Sequence, residues 1–126
     1  MSAPLTACQL IGYNLMRIRK TLGLDQAEAR ARLRPCGLDL AKNVYSAAER
    51  SYTGKRIRKF DADDLLAMSL AFEVPVAYFF LPPRPEDRSA DAEGIETGVT
   101  HVTWKELVEA LFDDAPAVAL RLAELG

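Results

Sequence analysis

The chain predicts an all-α fold: five compact helices in residues 1–83 and a two-helix extension at the C-terminus. Three observations lead there. Apolar residues recur at three- and four-residue steps over successive segments, which is the spacing of one helix face. Carboxylates stand where the amino ends of those segments need hydrogen-bond acceptors. Gly23, Pro35-Cys36-Gly37 and Pro82-Pro83 interrupt the pattern where helices should stop. A length of 126 residues with 49% apolar content suits one main domain plus an appendage.

The first helix should run from about Ala7 to Leu22, because Leu10, Ile11, Asn14, Leu15, Ile18 and Leu22 share a face. Gly23 ends it. The second covers about Gln26 to Leu33, with Asp25 as N-cap, Glu28 as its capping-box partner, and Ala29 and Leu33 inward. The turn Arg34-Pro35-Cys36-Gly37 follows. A third helix spans about Leu40 or Ala41 to Arg50, capped by Asp39, with Leu40, Val44, Tyr45 and Ala48 on its apolar side. Ser51 to Phe60 is polar and reads as a loop, with Ile57 as a core anchor. A fourth helix covers about Asp61 to Phe72, since Asp61, Asp63 and Asp64 suit its positive end and Leu65, Leu66, Met68, Leu70 and Phe72 pack. A short fifth helix, about Val76 to Phe80, opens after Val74-Pro75.

The net charge of −2 conceals a division. Between Arg17 and Lys59 there are twelve cations and four anions, while the rest of the chain carries four and fourteen. A basic half of this kind produces a one-sided positive field, to which a polyanion responds. Catalysis has little support: there is one histidine, His101, and no phosphate-binding glycine loop or nucleophile-base set, so the chain is read as a non-enzyme without cofactor. Cys8 and Cys36 lack metal-ligand spacing and are read as free thiols in a reducing compartment, with no metal. No run of eighteen apolar residues exists and Met1 to Leu10 lacks a secretory pattern, so no membrane association and a cytoplasmic location are expected.

Arg19, Gly23-Leu24-Asp25-Gln26, Tyr45-Ser46-Ala47-Ala48-Glu49-Arg50, Phe60 through Leu66 and the closing Val74 to Pro83 together resemble the XRE class (Cro/C1, phage-repressor-like) of helix-turn-helix regulators, in its bacterial, actinobacterial-type form. The resemblance covers residues 10–83. It implies a five-helix lambda-repressor-like DNA-binding domain, a glutamine at the head of the second helix (Gln26), and a glutamate late in the third (Glu49) pairing with an arginine of the first (Arg19). The chain departs from the family in its turn: Arg34 to Asp39 is lengthened by a few residues, which leaves the start of the reading helix open by two or three positions.

The residues themselves argue the same site. A helix enters the DNA major groove with its amino end nearest the bases. Lys42 and Asn43 occupy that end, lysine matching guanine O6 and N7 and asparagine matching adenine N6 and N7, while Ala47 can meet a thymine methyl. Asn43 has an alternative role in stabilising amides at the helix start. Gln26 with the amides around it, and Lys55, Arg56, Arg58 and Lys59 on the following loop, are assigned to the phosphate backbone, which supplies affinity and register; an ordinary solvated loop is the alternative for the last four. Arg19 and Glu49 are assigned a structural role.

Residues 84–98 are rich in Pro, Glu, Asp, Ser and Gly and read as a flexible acidic linker. Beyond it Thr103 can cap a helix with Glu106 as its partner, and Trp104, Leu107, Val108, Leu111 and Phe112 form an apolar stripe; a second short helix spans Pro116 to Leu125. Two small helices cannot bury such a stripe alone. They can dock on the N-terminal domain, bind a protein or small-molecule effector, or dimerise, and dimerisation is preferred because a symmetric pair reads two half-sites. The expected function is therefore a homodimeric, sequence-specific regulator on a palindromic double-stranded DNA operator. The alternative is a protein-interaction adaptor, such as an antitoxin or anti-regulator, that holds a partner through the acidic C-terminal segment.

Overall fold

The computed structural model describes residues 5–54, 56–88, 93–98 and 100–112. In chain order the elements are β1 (Leu5–Thr6), α1 (Ala7–Thr21), α2 (Gln26–Leu33), α3 (Lys42–Arg50), α4 (Ala62–Phe72), β2 (Gly94–Glu96), β3 (His101–Thr103) and α5 (Trp104–Phe112), with 3-10 turns at Arg34–Cys36, Val76–Phe80 and Pro85–Asp87. The all-α expectation is thereby corrected: a three-stranded sheet of order β1-β2-β3 joins the helices. β1 pairs in parallel with β2, Leu5 facing Ile95, and β2 pairs antiparallel with β3, Ile95 facing Val102. Strands of two and three residues are too short for an alternating pattern to register in the sequence. The expected fifth helix is likewise a 3-10 turn over Val76–Phe80.

Local chemistry accounts for most helix starts. Thr6 and Gln9 make a capping box at α1, Asp25 and Glu28 at α2, and Asp61 and Asp64 at α4, each satisfying two otherwise free amides. At α5, Thr103 Oγ1 accepts from the Glu106 amide while Glu106 Oε1 accepts from that of Thr103. α3 differs. Its N-cap is Ala41, without a side-chain cap, and Asp39 instead meets Arg34 at 3.3 Å on the surface. Leu40, expected inside the helix, stands two residues before it. The turn before α3 is held from within: Leu38 and Leu40 are buried, Gly37 takes φ 99° to reverse the chain, and Arg30 Nε donates to the Leu40 carbonyl at 2.9 Å.

Two apolar clusters organise the molecule. The main one gathers Ile11, Leu15 and Ile18 of α1, Ala29 and Leu33 of α2, Tyr45 and Ala48 of α3, and Met68 and Phe72 of α4 around Phe79. Asn14, fully buried among them, is satisfied by donating to the carbonyls of Phe79 and Leu81 at 3.0 and 2.8 Å, which straps the Val76–Phe80 turn onto α1. The second cluster has Leu10, Ile95 and Leu107 at its centre, with Leu5, Val102, Trp104 and Leu111 around them. The C-terminal stripe thus packs on its own chain. Val108 stays 40% exposed, and the Phe112 side chain, with residues 113–126 and the helix expected over 116–125, lies outside the described residues.

The stretch 84–98, expected to be a flexible linker, supplies the central strand and several anchors instead. Tyr13 Oη donates to Asp87 Oδ2 at 2.6 Å and accepts from the Arg84 amide, while Tyr52 Oη donates to the Asp87 carbonyl at 2.6 Å. Burial first, and then the bond to Asp87, push the Tyr13 pKa up. Arg88 lies over the Trp104 ring at 5.6 Å. No described helix is long and apolar enough to cross a membrane.

Candidate nucleic-acid interface

The inward side of α3 carries Tyr45, Ala48 and Glu49, all buried, while Lys42, Asn43, Ala47 and Arg50 are exposed on its outer side. A helical period of 3.6 residues divides the sequence in this way. The helix is seated against α1 at Gly12: a Cβ on this residue would stand 2.6 Å from the Ala48 carbonyl oxygen. Only glycine allows so close an approach. The side chains of Lys42 and Asn43 make no hydrogen bond or ion pair among the described residues, so the local amide-capping role open to Asn43 is not taken up. Arg50 Nη1 reaches the Ser46 hydroxyl along the same face.

Arg19 and Glu49 are in bidentate contact, Nε to Oε2 at 2.7 Å and Nη2 to Oε1 at 2.9 Å, with 13% and 6% of their side chains exposed. Arg19 also donates to the Leu24 carbonyl at 3.0 Å, so one guanidinium joins α1, the α1–α2 turn and α3. The carboxylate bond raises the Arg19 pKa against the opposing effect of burial. Tyr45 stands beside the pair with its hydroxyl buried and no hydrogen bond closed to it; burial and then Glu49 push its pKa strongly up.

Gln26 does not stand free at the head of α2. Its Nε2 donates to Glu49 Oε1 at 3.4 Å, and the carboxylates of Asp25 and Glu28 already occupy that helix end. Two negative charges there oppose a phosphate that the helix dipole alone would attract. Gln26 instead borders a recess of about 390 Å³ with Lys20, Arg50, Tyr52 and Thr53. Lys20 and Arg50 bring cations to this flank of α3, residues absent from the sequence-based site although their charge is visible in the sequence.

The opposite flank is formed by the loop after α3. Asn43, Val44 and Ala47 line one wall of a hollow of about 410 Å³, and Arg56, Ile57, Arg58 and Lys59 line the other. Arg56 and Lys59 are exposed. Arg58 is committed to the scaffold: Nη2 meets Asp64 at 3.6 Å, the guanidinium covers the Phe60 ring at 5.7 Å, and its amide donates to buried Ser51 at 3.0 Å. Ile57 is 40% exposed rather than a core anchor. Lys55 lies outside the described residues.

Of the residues assigned to dimerisation, Leu107 is buried and Trp104 and Leu111 pack with it inside the second cluster. Cys8 and Cys36 are free and half-buried, and no described group of three or more His, Cys, Asp or Glu could hold a metal. No family model, no curated protein and no solved structure matches the chain.

Proposed function

We propose that the chain is a DNA-binding transcriptional regulator of the helix-turn-helix kind, reading bases with α3 and acting as a homodimer. One observation supports this most: the outer face of α3 presents Lys42, Asn43, Ala47 and Arg50 to solvent, between Lys20 on one flank and Arg56 and Lys59 on the other, while its inner face is locked by Tyr45, Ala48 and Glu49. A rigid helix on which Lys42 and Asn43 are polar and unsatisfied is what base edges require, and cations on both sides suit the two phosphate strands that border a groove. Lys42 and Asn43 read, Ala47 supplies a small apolar contact, and Arg56 and Lys59 hold the backbone. Dimerisation rests on the need for two half-sites about 34 Å apart.

Selection of bound sequences from a random duplex pool tests the proposal. The expected product is a palindromic site whose affinity falls steeply with salt. A log-log salt slope near zero, or no enriched sequence, refutes it. A second reading, a protein-interaction adaptor, is favoured by a different observation: Leu66 and Leu70, one turn apart on α4, are 55% and 69% exposed.

A further inference from the structure

Behind the loop that flanks α3 lies a second hollow, of about 540 Å³, between the start of α1, the loop and the β2–β3 turn. Thr6, Ala7, Cys8, Ile57, Lys59 and Gly98 line it, and its size falls in the roughly 300–1,000 Å³ range of small-molecule sites. Ile57 and Lys59 belong to both hollows. They border both the DNA-facing recess and this cavity.

The charges at the rim indicate what fits. Glu96, the one acid of the lining, is engaged by His101 Nδ1 at 2.8 Å. Lys59 has no ion-pair partner among the described residues, which leaves an uncompensated ammonium beside apolar walls. At the same rim α1 begins with an uncharged cap, Thr6 with Gln9, whereas α2 begins with two carboxylates and α4 with three. That helix start adds no carboxylate to the rim, where Glu96 is turned to His101 and Lys59 is the unpaired charge.

We propose that this hollow binds a small amphipathic carboxylate, its apolar body against Ala7, Cys8 and Ile57 and its head group on Lys59, and that binding lowers DNA affinity. The coupling rests on the DNA-binding reading above; the ligand site does not. A carboxylate on Lys59 neutralises the charge that a phosphate would draw on, and filling one hollow constrains Ile57 and Lys59, which also line the other. A ligand that competes for a group used by DNA has differential affinity for the free protein, which is the condition for an effector.

Octanoate is the probe, and Cys8 reports on it without DNA. Octanoate at about four times its dissociation constant should slow alkylation of Cys8 by N-ethylmaleimide about fivefold through occupancy, while Cys36, outside the hollow, reacts as before. Octylamine should give no protection, Lys59→Gln should remove that of octanoate, and Lys59→Arg should restore it. Equal slowing of both cysteines, equal protection by the amine, or no protection overturns the site.

Duplex binding is measured separately. Octanoate should weaken the selected duplex about fivefold, the lower end of ordinary coupling. Gly98→Leu adds a side chain where nothing lies within 4 Å of the Cβ position, so it should fill the rim, leave duplex affinity unchanged and abolish the octanoate effect. Protected Cys8 with unchanged duplex affinity overturns the coupling alone. Absence of duplex binding at any octanoate concentration refutes the DNA reading and leaves the ligand site to the alkylation result.

Discussion

Glu49 accepts two bonds from Arg19 and one from Gln26 while almost wholly buried, so its loss strands a guanidinium that burial has already partly dehydrated. Breaking one side of a buried pair costs about 3–5 kcal/mol. Glu49→Ala should lower stability in urea by roughly that amount, and adding Arg19→Ala should cost less than the sum of the two. Additive losses would show that the pair does not couple α1 to α3. Lys42 and Asn43 stand at the other extreme, exposed and unpartnered. Replacing either with alanine should leave the stability in urea within about 0.5 kcal/mol of the parent and flatten discrimination between cognate and altered duplexes.

Tyr45 yields a prediction in pH. Burial keeps its hydroxyl protonated in the folded chain well past pH 10.0, where an unfolded tyrosine ionises. Above that pH the unfolded state binds fewer protons than the folded one, so stability falls as pH rises, and the contribution is intact only below it. Tyr45→Phe removes one such group and a buried hydroxyl that makes no hydrogen bond. It should change stability at neutral pH by less than about 1 kcal/mol and make the alkaline fall shallower; an unaltered alkaline limb would contradict this. Tyr13, Tyr52 and Tyr78 are also raised, so the fall should not vanish.

Among elements, α1 and α3 meet at a glycine whose importance no local pattern reveals. Helix propensity alone would make Gly12→Ala a gain of about 1 kcal/mol. The Ala48 carbonyl at 2.6 Å from the new Cβ reverses the sign, since overpacking costs about 1–3 kcal/mol and would push α3 outward. Thermal melts should show net destabilisation of Gly12→Ala. α1, α2, α4 and α5 begin where the sequence places them because each carries its own cap within four residues, a signal that needs no tertiary context. α3 carries none. Its start at Lys42 follows from Leu38 and Leu40 being drawn into the core, which lengthens the turn and consumes Leu40 before the helix begins.

At the scale of the molecule, the second cluster joins the two ends of the described chain: Leu5 and Leu10 near one, Leu107 and Leu111 near the other, with Ile95 between. On the sequence alone, removal of residues 99–126 acts through a lost dimer contact; in the folded chain it also strips β3 and α5 from a closed core. Truncation should therefore lower the melting temperature of dilute protein, and Leu107→Ala alone should cost about 2–5 kcal/mol. If Leu107→Ala proves neutral in dilute protein, the stripe packs elsewhere than on Leu10 and Ile95.

The sequence by itself determined the four helices of the first seventy-two residues, the basic character of their middle portion and the exposure of Lys42, Asn43 and Ala47 on one face of α3. Each of these rests on neighbours three or four residues apart, and local spacing is directly visible along a chain. Only the tertiary structure decided that Leu5–Thr6 pairs with Gly94–Glu96, that Gln26 and Arg58 are bound inward by Glu49 and Asp64, and that Ile57 is shared between two hollows. These depend on which distant segments meet, and that choice is made by the whole core closing at once rather than by any short stretch of residues.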